Sequence, residues 1–135
     1  MKTRRGFNPV YGRCISTVTH DQRIRIGNPI LPLLQAQDVR QLWLCTIPGK
    51  GALMVCPHVS WNRWIQKMQS EFPVLRSPEG LRPYLTLSDQ VGLESKGRIF
   101  VAQRLLMYAE LKAGDVVEVF GMGEYLEIWK ARPSG

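Results

Sequence analysis

Residues 93–129 read LESKGRIFVAQRLLMYAELKAGDVVEVFGMGEYLEIW. The stretch opens on a short strand-like run at 98–101 (RIFV) and continues into 103–109, where Leu105, Leu106 and Ala109 suit a short helix. A turn follows at Lys112-Ala113-Gly114-Asp115. Two strand-like runs, 116–120 (VVEVF) and 125–129 (YLEIW), flank Gly121-Met122-Gly123. The order is strand, short helix, strand, Gly-x-Gly turn, strand.

The first half of the chain repeats this order. QRIRIGNPILPLL at 22–34 lies against GRIFVAQRLLMYA at 97–109, and DVRQLWLC at 38–45 lies against DVVEVFG at 115–121. The loops GKGA (49–52) and GMGEY (121–125) coincide, and LMVCP (53–57) lies against LEIWK (126–130). The period is about 70–75 residues, too long for a solenoid repeat, and two copies point to one duplicated module. A unit of this size can hardly bury its apolar face alone. Two copies packed together are expected to close a small β-barrel with pseudo-two-fold symmetry.

Other segments place the boundaries. Residues 1–13 are basic and interrupted by Gly6, Pro9 and Gly12, which predicts an N-terminal arm. CISTVT (14–19) is β-branched and strand-like. RIRI (23–26) alternates isoleucine and arginine with period two, placing them on opposite faces. Residues 30–36 suit a short helix, 39–47 and 52–56 a β-hairpin around Pro48-Gly49-Lys50-Gly51. Ser60 is the expected N-cap of a helix whose apolar face carries Trp61, Trp64, Ile65, Met68 and Phe72 and which stops before Pro73. Such a stripe marks core or a subunit interface. Residues 73–83, with three prolines, read as an irregular linker, and 84–93 return to strand-like sequence. The reading is a first unit over 14–72 and a second over 84–135, both in one compact domain.

Composition narrows the class of function. The chain has 135 residues, 44% hydrophobic and 21% charged, which suits a globular protein. No apolar run reaches the ~18 residues of a membrane span. The basic N-terminus has no apolar segment behind it, so a cytoplasmic protein is expected. Of the net +7, residues 1–70 contribute +8 and residues 71–135 contribute −1. A basic excess confined to one region is the footprint of a polyanion partner. Cys14, Cys45 and Cys56 are an odd number in apolar settings, so they read as small buried hydrophobes. His20 and His58 are isolated, and Cys56-Pro57-His58 is too short for a zinc site. Ser16, His20 and Asp21 do not make a catalytic triad, and the Gly-x-Gly turns open no helix, which excludes a phosphate loop. No enzyme, metal, cofactor or small-molecule ligand is implied.

The second unit, with its Glu94, Lys96, Gly97 and Arg98, resembles the MraZ family, whose units open with Asp-x-x-Gly-Arg running into a strand and short helix. More broadly it is similar to AbrB-like modules. Here Glu94 replaces the aspartate, and Gly27 and Ala102 stand where a proline often follows the motif strand. In the first unit Asp21 is the candidate acid. Aligning RIRI with RIFV makes Arg23 the motif arginine, with a loop two residues shorter; keeping the acid-to-arginine spacing makes it Arg25.

The resemblance implies an α+β, mainly β fold: a double-split, swapped-hairpin barrel built from two βαββ-type units with short helices. It implies a transcriptional regulator that binds double-stranded DNA at repeated promoter sites as a ring-like homo-oligomer in the nucleoid. The expected DNA contacts are Arg23, Arg25, Lys96 and Arg98, oriented by Asp21 and Glu94, with Lys2, Arg4 and Arg5 adding nonspecific attraction. The other function on the same fold is a protein-interaction module, antitoxin-like or a scaffold.

Overall fold

The apolar patterns decide which strands are covered on one face and which on two. LWLC and LMVC are continuous apolar runs, whereas VVEVF and YLEIW alternate. A strand buried on both faces reads as the former, a strand open on one face as the latter. The computed structural model describes residues 7–46 and 50–131 and follows this division.

The chain forms a mixed α/β fold dominated by antiparallel strands. In chain order the elements are β1 (Val10–Thr17), β2 (Arg23–Arg25), α1 (Ile30–Gln35), β3 (Gln41–Thr46), β4 (Leu53–Pro57), α2 (Trp61–Glu71), α3 (Pro78–Thr86), β5 (Asp89–Gly92), β6 (Arg98–Phe100), α4 (Gln103–Tyr108), β7 (Val116–Gly123) and β8 (Leu126–Lys130). Six strands form one sheet in the order β1-β7-β8-β4-β3-β5, and β2 pairs with β6 in a separate ribbon.

The sheet order maps onto itself when β1 exchanges with β5, β3 with β7 and β4 with β8. Loop hydrogen bonds obey the same exchange. Val18 N–H donates to Asp115 O at 3.0 Å, and Leu93 N–H donates to Arg40 O at 2.8 Å.

One face of the sheet meets the ribbon, α1 and α4. Leu42, Leu44, Leu53, Val55, Val117, Val119, Leu126 and Ile128 point there and pack with Ile24, Ile99, Leu34 and Leu105. The opposite face of β3 and β4 presents Cys45, Met54 and Cys56 to Trp64, Met68, Leu75 and Tyr84, a second core under α2 and α3. The opposite face of β7 and β8 carries Glu118, Phe120, Glu127 and Trp129, all half-buried. Cys45 and Cys56 are buried hydrophobes, and desolvation pushes each thiol up to about 12.

The expected closed barrel is corrected. The six-stranded sheet stays open at β1 and β5. The reason lies at the junction of β1 and β2. The Arg23 and Arg25 amides donate to the side-chain oxygens of Thr19 (2.9 Å) and Ser16 (3.1 Å), so no backbone ladder joins the two strands.

Three local expectations also change. β1 begins at Val10, within the stretch read as an arm, with Phe7 buried. The expected linker holds α3: Ser77 caps it by accepting from Gly80 N–H at 3.2 Å, Pro78 sits in its first turn, and the helix runs on past Tyr84, whose ring joins the second core. Gly121 and Gly123 lie within β7, and the chain reverses at Glu124 and Tyr125. The expected β3–β4 turn falls partly outside the described residues, at 47–49.

Candidate nucleic-acid interface

The ribbon pairs Arg23 with Phe100, Ile24 with Ile99 and Arg25 with Arg98. Ile24 and Ile99 are fully buried. Alternation therefore turns Arg23, Arg25, Arg98 and Phe100 outward on one face. Arg25 and Arg98 stand directly opposite each other, both exposed.

Each ribbon strand is entered through a turn of the same build. Thr19 N–H donates to Arg23 O, and Glu94 N–H to Arg98 O, both at 2.9 Å. Gln22 N–H returns to Thr19 O at 3.1 Å, and Gly97 N–H to Glu94 O at 3.0 Å. The turns then cross: Ile26 N–H donates to Gly97 O, and Val101 N–H to Gln22 O, both at 2.8 Å.

Gln22 and Gly97 share the left-handed region, with φ of 63° and 84°. At Gly97 a glycine is required twice over, since an added Cβ would lie 2.3 Å from Ile26 O.

This register sets the two halves of the ribbon in correspondence. Arg23 occupies the place of Arg98, Arg25 that of Phe100, and Thr19 that of Glu94. The first turn, from Thr19 to Arg23, is as long as the second, from Glu94 to Arg98. Asp21 is not the counterpart of Glu94. It sits inside the turn, accepts from the Thr19 hydroxyl and meets Arg23 Nη1 at 3.5 Å. The Thr19 hydrogen bond, with help from Arg23 and Arg98, holds the Asp21 carboxyl below its ordinary value.

Glu94 works mainly across the ribbon. It takes Arg23 Nε at 3.1 Å on one oxygen and Nη2 at 3.1 Å on the other, a two-pronged grip. This hydrogen bonding raises the Arg23 pKa. Glu94 lies 4.0 Å from Arg98, a much looser contact. Arg23 also lies over the Phe100 ring, 5.4 Å from its centroid. Arg23 is thus held by an acid, a second acid and a ring, with its side chain 28% exposed, while Arg98 is 47% exposed.

Arg25 donates from Nε to Lys96 O at 2.9 Å, and neither Arg25 nor Lys96 has an ion pair among the described residues. Lys96 itself adopts a left-handed φ of 68°. Four cations and two acids gather at the ribbon and its turns.

The structure therefore brings Arg23, Arg25, Lys96, Arg98, Asp21 and Glu94 together. Lys2, Arg4 and Arg5 lie outside the described residues. Trp61, Trp64, Ile65 and Met68 are remote from the ribbon and serve the second core. Trp64 and Met68 are buried in it, Ile65 packs against it, and Trp61 stacks on Trp43 at 4.5 Å. Two contributors escaped the sequence reading. Phe100 looked like an ordinary strand residue, and Thr19 could have been found only by counting back four residues from Arg23 as from Arg98.

No helix among the described residues is long and apolar enough to cross a membrane. The curated proteins hold no match to this chain. Residues 85–132 match the family model described as "MraZ protein, putative antitoxin-like", a description that names no reaction. The matched stretch takes in β5, β6, α4, β7 and β8, with Glu94, Gly97 and Arg98 inside it, and this match supports membership of the MraZ family.

Proposed function

We propose that this protein is a DNA-binding transcriptional regulator whose β2/β6 ribbon meets the duplex. The observation that carries the reading is the pairing of Arg25 with Arg98. Like charges directly opposite on a ribbon repel, and an anion between them removes that cost. A phosphate or a guanine edge supplies the missing partner, and a two-stranded ribbon fits the major groove. Lys96, whose carbonyl accepts from Arg25 Nε, lies beside this pair and extends the cationic face.

In this reading Arg98 and Arg25 contact DNA, Arg23 is set by Glu94 and Asp21, and Lys2, Arg4 and Arg5 add salt-sensitive attraction. The self-mapping strand order supports descent from one duplicated swapped-hairpin, AbrB-like unit. Ring-like assembly on repeated promoter sites, in the cytoplasm and on the nucleoid, completes the proposal.

The test is a titration of the protein into its own upstream promoter duplex and a scrambled duplex at several salt concentrations. Tighter promoter binding, with log Kd rising with log salt by about 0.9 per phosphate contacted, supports the reading. Equal and salt-insensitive binding to both sinks it. A second reading, a protein-interaction module, draws on the antitoxin-like description of the matched family. Co-purification of a stoichiometric partner protein without DNA affinity favours it.

A further inference from the structure

Remote from the ribbon, α2 and the β7–β8 reversal enclose a cavity of about 370 Å³. Its volume lies within the range of small-molecule sites, roughly 300–1,000 Å³. Three features of its lining point one way.

The first is an orphan hydroxyl. Ser60 is 2% exposed, lines the cavity, and its Oγ has no hydrogen-bond partner among the described residues. Ser60 stands at the N-cap of α2, yet its side chain caps nothing. A buried hydroxyl left unpaired is costly, and its presence on a cavity wall suits a polar atom of a guest.

The second is an aromatic wall. Trp64 and Tyr125 meet at 4.7 Å between ring centroids, tilted by 49°. Planar apolar groups pack well in such a corner. The Trp64 indole N–H is already committed to the Tyr84 hydroxyl at 3.2 Å, so the ring offers its surface and not its donor.

The third is uncompensated positive charge. Arg63 and Lys67 lie one turn apart on α2 and both line the cavity. Glu124 takes only Arg63 Nη1, at 3.3 Å, with both side chains about half exposed. Lys67 has no ion pair among the described residues. The lining carries two cations and one carboxylate. Burial keeps the Cys56 thiol protonated, so it adds no second anion.

We infer that this cavity binds a small planar organic carboxylate, its ring against Trp64 and Tyr125, its carboxylate on Arg63 and Lys67, and Ser60 Oγ hydrogen-bonded to it.

The test uses the full chain, ¹⁵N-labelled, with indole-3-acetate, indole and acetate as separate titrants followed by NMR. Indole-3-acetate is expected to give saturable shifts at Ser60, the Trp64 side chain and Tyr125. A charge-assisted hydrogen bond supplies about tenfold in affinity. Indole, which lacks the carboxylate, and the Arg63→Gln/Lys67→Gln double variant should therefore each bind at least about tenfold more weakly. Arg63 and Lys67 are exposed, so the variant's spectrum should otherwise match the parent's. Ser60→Ala should weaken indole-3-acetate by several-fold while leaving indole unchanged. The proposal is overturned by saturable shifts confined to other residues, by no saturable shift, by equal affinity for indole and indole-3-acetate, or by a double variant that binds as the parent does.

Discussion

Glu94 and Arg23, 71 residues apart in sequence, meet through both carboxylate oxygens, with Nη2–Oε2 at 3.1 Å. The acid of the second turn thereby neutralises the arginine of the first strand and leaves its own neighbour, Arg98, nearly free. The two halves of the ribbon are alike in backbone and unlike in charge.

Glu94→Gln should release Arg23 and remove one negative charge from the ribbon. Nonspecific DNA affinity is expected to rise, with the salt slope steeper by about one phosphate contact. Preference for promoter over scrambled duplex should fall, since Arg23 loses the contact that orients it. Stability should drop only slightly, because the pair is screened by solvent. A shallower salt slope in the same titration would contradict the arrangement.

Arg98→Ala and Arg23→Ala should separate binding from stability. Arg98 is the more exposed and makes only a loose ion pair, so its loss should reduce the salt slope by about one and leave the Tm within experimental error. Arg23→Ala should lower the Tm as well, because Glu94 and Phe100 lose their shared partner. Thermal melts beside DNA titrations distinguish the two. Equal Tm losses would mean that the looser pair matters as much as the tight one.

Gly97→Ala should destabilise by about 2–4 kcal/mol, combining a strained left-handed φ with a Cβ forced onto the Ile26 carbonyl. Gly27→Ala is the control. A Cβ there meets nothing within 4 Å, and the change should stay within about 0.5 kcal/mol. Denaturant unfolding of both variants gives the comparison, and a mild Gly97→Ala would refute the close approach.

The Asp21 carboxyl should titrate below its ordinary value of 3.8, chiefly because Thr19 donates to it. Its folded pKa is depressed, so its contribution to stability is present above the unfolded value and is lost as pH falls through the folded one. Thr19→Val should move the Asp21 titration, read by carboxyl NMR, back up towards 3.8. An unmoved titration would leave the arginines, and not the hydroxyl, as the cause.

Ser60→Ala should raise stability by about 1 kcal/mol in the absence of any titrant, because it deletes a buried, unpartnered hydroxyl that caps nothing. Chemical denaturation settles the sign. A loss of similar size would show that the Oγ is satisfied in solution.

The strands were legible because their patterns report burial directly. RIRI and RIFV show one apolar face each, and LWLC shows two, as the second core beneath α2 requires. α3 was hidden by its prolines. Pro78 and Pro83 are read as breakers, yet Pro78 occupies a first-turn position where no amide is needed. The open sheet was hidden for another reason. Whether β1 joins β2 by a ladder depends on Ser16 and Thr19 capturing two amides with their side chains, which apolar periodicity does not encode. The arginines of the ribbon were named from sequence alone, but their unequal restraint was not, because Glu94 reaches a residue that no local motif contains.

The self-mapping strand order has a consequence during synthesis. Among the described residues β1 has one sheet neighbour, β7, and an ion pair that ties them, Arg13 to Glu118, spans 105 residues. At an elongation rate of about 5–20 residues per second, β1 waits roughly 5–20 s for its partner to be made. Over that interval Tyr11 and Ile15 stand on an unpaired edge beside the growing chain. Nascent molecules are therefore most open to strand capture by one another on crowded polysomes, and least so once translation has passed β7.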